Sequence, residues 1–118
     1  MATSRMRRVN QVLREVVGGA IATEMSDPRL DMVTVTSVDT SPDLRSARVY
    51  VTVLGDEKAR DEALEALKSA HGLLQTRIAD ETHMKNTPTL RFEYDESVET
   101  GLRISALLDA ESGEQDQR

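Results

Sequence analysis

The chain has no cysteine, no tryptophan and three aromatic residues, Tyr50, Phe92 and Tyr94. Without thiols there are no disulfides and no thiolate metal sites. Two histidines, His71 and His83, cannot build a His-based metal cluster. No helix-length stretch is free of charge, so neither a membrane span nor a signal peptide is expected, and the chain reads as a soluble, cytoplasmic protein. Catalytic motifs are missing too. There is no G-x-S-x-G elbow, no Walker A loop and no H-E-x-x-H. The carboxylates gather at helix ends, where they suit the dipole. Asp27 and Asp31 bracket a proline turn and read as capping groups. No enzymatic activity and no cofactor is expected.

The chain's 118 residues allow one domain with one core. Its net charge of −6 argues at first against nucleic acid, but the charge is unevenly spread. Arg5, Arg7, Arg8 and Arg14 against Glu15 and Glu24 leave residues 1–26 at +2. Lys68, Arg77, Lys85 and Arg91 against Asp80 and Glu81 leave residues 66–92 at +2. Residues 93–118 net −6, so a basic face can persist elsewhere. A uniformly acidic surface is the alternative.

Hydrophobic periodicity orders the chain. Met6, Val9, Leu13, Val16, Val17, Ala20 and Ile21 recur at three- and four-residue spacing, which predicts an amphipathic helix over 4–25 with Ser4 as N-cap. Gly18-Gly19 inside it implies close packing or a kink. Asp27-Pro28-Arg29 ends it. Residues 32–39 alternate as a β-branched strand, with Val33, Val35 and Ser37 on one side and Thr34, Thr36 and Val38 on the other. Thr40–Asp43 is turn chemistry. A second strand over 44–54 points Ala47, Val49, Val51 and Val53 inward and makes an antiparallel hairpin with the first. Gly55-Asp56 leads into a helix over 57–68, capped by Asp56, with Ala59, Ala63, Leu64 and Leu67 apolar. A helix over 72–83 buries Leu73, Leu74 and Ile78. A strand over 89–95 has Leu90, Phe92 and Tyr94 inward. A last helix spans 98–110 with Ser97 as N-cap, and 111–118 is a polar, acidic, disordered tail.

The order is α-β-β-α-α-β-α, an α+β chain with a three-stranded mixed sheet and helices on one face. The third strand follows a helical crossover, so it can lie parallel to one of the first two. Only Tyr50 among the aromatics points to the open face, so a base-stacking sheet is poorly supported.

Ser69-Ala70-His71-Gly72 joins two helical segments, and Ser and Gly both disfavour a helix interior. It reads as a tight corner, with Ser69 or Ala70 closing one helix and Gly72 opening the next. Such a corner offers backbone N–H groups to a phosphate. Helix, glycine corner, helix and strand is the arrangement of a KH domain, whose GxxG loop approaches nucleic-acid phosphates. Here the first glycine is Ser69. An ordinary helix–helix turn explains this short motif equally well by itself.

Further motifs accompany the corner: Arg7-Arg8-Val9, Asp27-Pro28-Arg29, Val33–Val38, Asp43-Leu44, Ala47–Val51, Ala70-His71-Gly72, and Thr87-Pro88 with Leu90, Phe92 and Asp95. In this order and spacing the chain resembles the bacterial ribosome-binding factor A family over roughly residues 3–108. The resemblance implies a type II KH-like domain over 1–110, in which an Ala-x-Gly kink replaces GxxG. It also implies binding to the free 30S subunit and its 16S rRNA during late maturation, including 5′-end processing. The family is not enzymatic and leaves before translation. The acidic tail departs from the basic tails of some relatives.

The RNA-binding candidates are Lys68, Ser69, Ala70, His71 and Gly72 at the corner, Arg77 on the next helix, and Lys85 and Asn86 on the following loop. Arg5, Arg7 and Arg8 add charge from the first helix. Arg45, Arg48 and Arg91 are weaker candidates on the strands. His71 either meets phosphate or fills an exposed corner. Nothing indicates oligomerisation, and a monomer is expected. The competing reading is an acidic protein–protein adaptor without RNA affinity.

Overall fold

The structure, a computed structural model, describes residues 3–97. Helix α1 spans Ser4–Thr23. A 3₁₀ turn, Pro28–Leu30, leads to β1, Val33–Thr40, and β2, Ser46–Val53, follows. Then come α2, Glu57–Ser69, α3, His71–Thr82, and β3, Thr89–Tyr94. The expected order α-β-β-α-α-β is the observed one. The helix expected over 98–110 and the tail over 111–118 lie outside the described residues.

Strand β2 is the middle of the sheet, antiparallel to β1 and parallel to β3. All three helices pack on one face. Leu13, Val17, Leu67, Leu74 and Ile78 meet Val35, Val38, Ala47, Val49, Val51 and Leu90 in one buried cluster. The inward set expected for β2 is buried throughout. At Gly18 an added Cβ would come 3.9 Å from the Val35 side chain, ordinary contact with β1. Gly18 faces the sheet, Gly19 is exposed with nothing near an added Cβ, and the helix runs through both.

Four expectations need correction. Leu73, expected to be buried, is 48% exposed, because the buried stripe of α3 runs through Leu74 and Ile78, four residues apart, and Leu73 falls beside it. The N-cap of α1 is Thr3, whose hydroxyl accepts the Met6 N–H at 3.1 Å; Ser4 is already helical. In β1 the expected faces hold only as far as Val35. A β-bulge between Val35 and Ser37 inserts Thr36, so Val38 and Thr40 turn inward instead of Ser37. The bulged Thr36 hydroxyl donates to Asp95 Oδ2 at 2.6 Å and lies 3.2 Å from the Tyr50 carbonyl. That bond depends on a residue 59 positions away, which local alternation does not report. At the end of β3, it is Asp95 whose carboxylate accepts the Ser97 N–H, at 3.1 Å, rather than Ser97 acting as the cap.

Other caps match the sequence. Asp56 accepts the Ala59 N–H at 2.8 Å to open α2, and Asp27 accepts the Arg29 N–H at 3.0 Å to open the 3₁₀ turn. Gly55, before α2, has φ +135°, and a Cβ there would sit 2.9 Å from that of Ala59. This glycine is required by the fold.

Asn10 joins α1 to the far end of β1. Its Oδ1 accepts both the Thr40 N–H, at 2.9 Å, and the Thr40 hydroxyl. Thr40 is 1% exposed, so neither donor has water as a substitute. Asn10→Ala is therefore expected to cost about 1–3 kcal/mol, the penalty for orphaned buried donors. Gln11→Ala, which loses only an exposed bond to Glu15, is expected to cost under about 0.5 kcal/mol. Urea denaturation of both variants checks the contrast.

Candidate nucleic-acid interface

Helices α2 and α3 are separated by one residue. Ala70, at φ −87° and ψ 0°, ends the first helix and begins the second. Its N–H donates to the Ala66 carbonyl at 2.9 Å, and its own carbonyl accepts the Leu74 N–H at 3.1 Å. The chain therefore bends without losing a residue to a loop. The second helix opens at His71, one residue before Gly72. No side chain caps it and no acid sits in its first turn. The first N–H groups of such a helix have no partner within it, and the dipole leaves them positive.

Glycine at position 72 is not demanded by this geometry. Its backbone is not left-handed, and a Cβ built there meets nothing within 4 Å. Unlike Gly55, Gly72 could carry a side chain without strain. What its bareness does is leave the backbone of the corner open from outside.

The corner is held from below. His71 Nε2 lies 3.0 Å from the Leu90 carbonyl. A carbonyl only accepts, so Nε2 carries the proton and donates, which leaves Nδ1 as the acceptor nitrogen of the ring. One turn later Gln75 reaches the same strand. Its Oε1 accepts the Leu90 N–H at 2.6 Å and its Nε2 donates to the Pro88 carbonyl at 3.0 Å. Thr89 and Asp95 donate their N–H groups to β2, so the intervening even-numbered residues turn theirs to the free edge. His71 and Gln75 satisfy that edge at Leu90. Gln75 was not a candidate by sequence; its i,i+4 relation to His71 was the available signal.

The structure divides the other candidates. Lys68 and Ser69 are exposed beside Gly72, although the Ser69 hydroxyl donates back to the Glu65 carbonyl at 3.3 Å. Arg77 pairs with Glu24 at the end of α1 and with Glu81 at 3.3 Å, so its charge is answered within the protein. It braces α3 against α1. Arg5, Arg8, Lys85 and Asn86 come together in a different place, a cleft at the C-terminal end of α3. Arg7 is exposed but does not line that cleft. Of the weaker candidates, Arg48 and Arg91 are register partners on the open sheet face. The Tyr50 hydroxyl, then the Glu93 and Asp39 carboxylates, hold the Arg48 guanidinium more firmly protonated than usual. Among the described residues no group of three His, Cys, Asp or Glu could hold a metal ion, and no helix is long and apolar enough to cross a membrane.

The family model for ribosome-binding factor A matches residues 5–108. A protein of Rhodopirellula baltica named ribosome-binding factor A is 42% identical over 108 residues, covering 92% of this chain and 79% of that protein. The crystal structure of ribosome-binding factor A from Thermus thermophilus superposes with a TM-score of 0.68 at 29% identity, over 75% of this chain and 93% of that one. A homology model of the same factor, fitted into a cryo-EM map of a 30S complex, gives 0.62 at 30% identity, over 74% and 91%.

The two kinds of corner residue separate by experiment. Gly72→Ala is expected to leave stability unchanged or raise it by up to about 1 kcal/mol, because the site is helical and open. Gln75→Ala is expected to cost about 1–3 kcal/mol by orphaning the Leu90 N–H and the Pro88 carbonyl. Thermal melting with chemical denaturation reads both.

Proposed function

The chain belongs to the ribosome-binding factor A family, and from that premise we propose that it is a ribosome maturation factor binding the free 30S subunit through 16S rRNA. It assists late assembly and 5′-end processing of that RNA, acts in the cytoplasm as a monomer, and is not part of the translating ribosome. It works by binding, without a catalytic step or a cofactor. The Thermus thermophilus factor fitted into a 30S complex supports the partner.

The observation that carries the reading is the bare corner. Uncapped N–H groups at the start of α3 lie beside a glycine that the fold itself does not require. A phosphate can approach the backbone at Gly72 closely, with Lys68 supplying the neighbouring charge. Ser69 and Ala70 shape the approach. His71 acts chiefly by holding the corner on β3. Base-specific readout is limited, because the corner has no aromatic platform.

Co-sedimentation with purified 30S subunits, with 50S subunits and 70S ribosomes as controls, tests the reading. Selective binding to free 30S subunits is expected. Affinity should fall as salt rises, with a log–log slope of about −0.7 per phosphate neutralised on single-stranded RNA. Lys68→Glu should weaken binding about tenfold and reduce that slope by about one. Binding without salt dependence would instead fit an acidic protein–protein adaptor. Arg77→Glu is a poor probe, because it also breaks the ion pair with Glu24 that joins α3 to α1.

A further inference from the structure

We propose that the cleft at the C-terminal end of α3 is a second site for the phosphodiester backbone of RNA, separate from the corner. The protein then grips its RNA at two points. This rests on the reading of the chain as an rRNA-binding factor and adds to it a divided footprint.

The cleft is open, with a volume of 840 Å³, and three segments distant in sequence build it. Arg5 and Arg8 come from the first turns of α1. Leu44 comes from the β1–β2 turn. His83, Lys85 and Asn86 follow α3. Arg5, Arg8 and Lys85 are exposed, and none forms an ion pair among the described residues. The arginines sit at the positive end of α1, whose first turn contains no acid, so their placement works against the helix dipole.

Asp43 is the one carboxylate lining the cleft, and it is engaged in the turn. It accepts the Ser41 hydroxyl at 2.6 Å and the Arg45 N–H at 3.0 Å. Three cations therefore face one occupied acid, which complements a phosphate chain. The walls are also unusual. Among the described residues, the two non-glycine positions with left-handed backbone are Leu44, at φ 60°, and His83, at φ 51°, and both line this cleft.

Corner and cleft are discrete. The corner opens α3 and the cleft lies beyond its end, and twelve helical residues span about 18 Å. Adjacent phosphates of one duplex strand advance only about 3.4 Å along the axis. Between the two sites the charge of Arg77 is answered by Glu24 and Glu81, and Asp80 is exposed. Among the described residues, Arg77 is the one Lys or Arg on α3 between them.

The test is the full chain carrying Arg8→Glu with Lys85→Glu, titrated against purified 30S subunits and against protein-free 16S rRNA over a range of salt. The expected result is a loss of at least about tenfold in affinity on both targets and a salt slope smaller by about two. Melting should be unchanged, and Arg8→Lys with Lys85→Arg should restore binding. Unchanged affinity and slope in the Glu variant, with Lys68→Glu still weakening binding, would overturn the cleft site while leaving the rRNA reading intact. A loss on subunits but not on protein-free rRNA would assign the cleft to a ribosomal protein, and likewise overturn it. Failure of the unmodified protein to bind either target would remove the underlying reading.

Discussion

The backbone of Leu90 is where this structure is tied together. Strand β3 sits at the edge of the sheet and pairs on one side only, with β2. At its other edge the Leu90 N–H and carbonyl are taken by Gln75 and His71, and Gln75 also takes the carbonyl of the buried Pro88. Three side-chain bonds stand where a further strand would otherwise supply main-chain ones. An unpaired edge is a liability in any sheet. Here it is answered by His71, which opens α3, and by Gln75 one turn later. The position of β3 and the position of the corner are one constraint, because His71 follows immediately on the bend at Ala70.

That coupling gives the corner its character. A one-residue junction between helices could flex if each helix packed independently. Instead α2 is held through Ala63, Ala66 and Leu67, α3 through Leu74 and Ile78, and the joint itself through His71. The bare backbone at Gly72 is thus presented by fixed elements, and a ligand meeting it would pay little to order it. The charge distribution follows a similar logic. Arg29, Arg60 and Arg77 are answered by acids of the same chain: Asp27, then Glu57 and Asp61, then Glu24 and Glu81. Arg60 also lies 4.8 Å over the Tyr94 ring. Among the described residues, Lys68 at the corner and Arg5, Arg7 and Arg8 on the first turns of α1 form no such ion pair. An acidic protein can in this way offer local positive surface.

Much of this was legible in the residues. The apolar spacing of α1, the strict alternation of β2 and the Asp56 cap each report short-range geometry, and each appears as expected. The two-helix corner was legible because Ser69 and Gly72 interrupt a helical pattern. The phase of β1 was not, since Thr36 reads as an ordinary strand residue. Its bulge is stabilised through Asp95, far along the chain. Arg77 looked like a surface cation, and only the packing of α3 against α1 brings Glu24 to it. The RNA-binding candidates looked like one surface. They are at opposite ends of a helix, since linear proximity of Arg77, Lys85 and Asn86 says nothing about which face or end each occupies.

The sequence by itself determined the order of elements, the inward faces of α1, α2 and β2, and the place of the bend. Those depend on periodicity and on residues' preferences within a few positions of themselves. Tertiary structure alone decided that β3 lies against β2, that His71 and Gln75 serve its outer edge, and that Arg5 and Arg8 meet Lys85 across a cleft. Each joins segments whose separation in the chain carries no periodic signal. The pairing arises only when burying one shared core brings the polar groups at its margins within hydrogen-bonding or Coulombic reach.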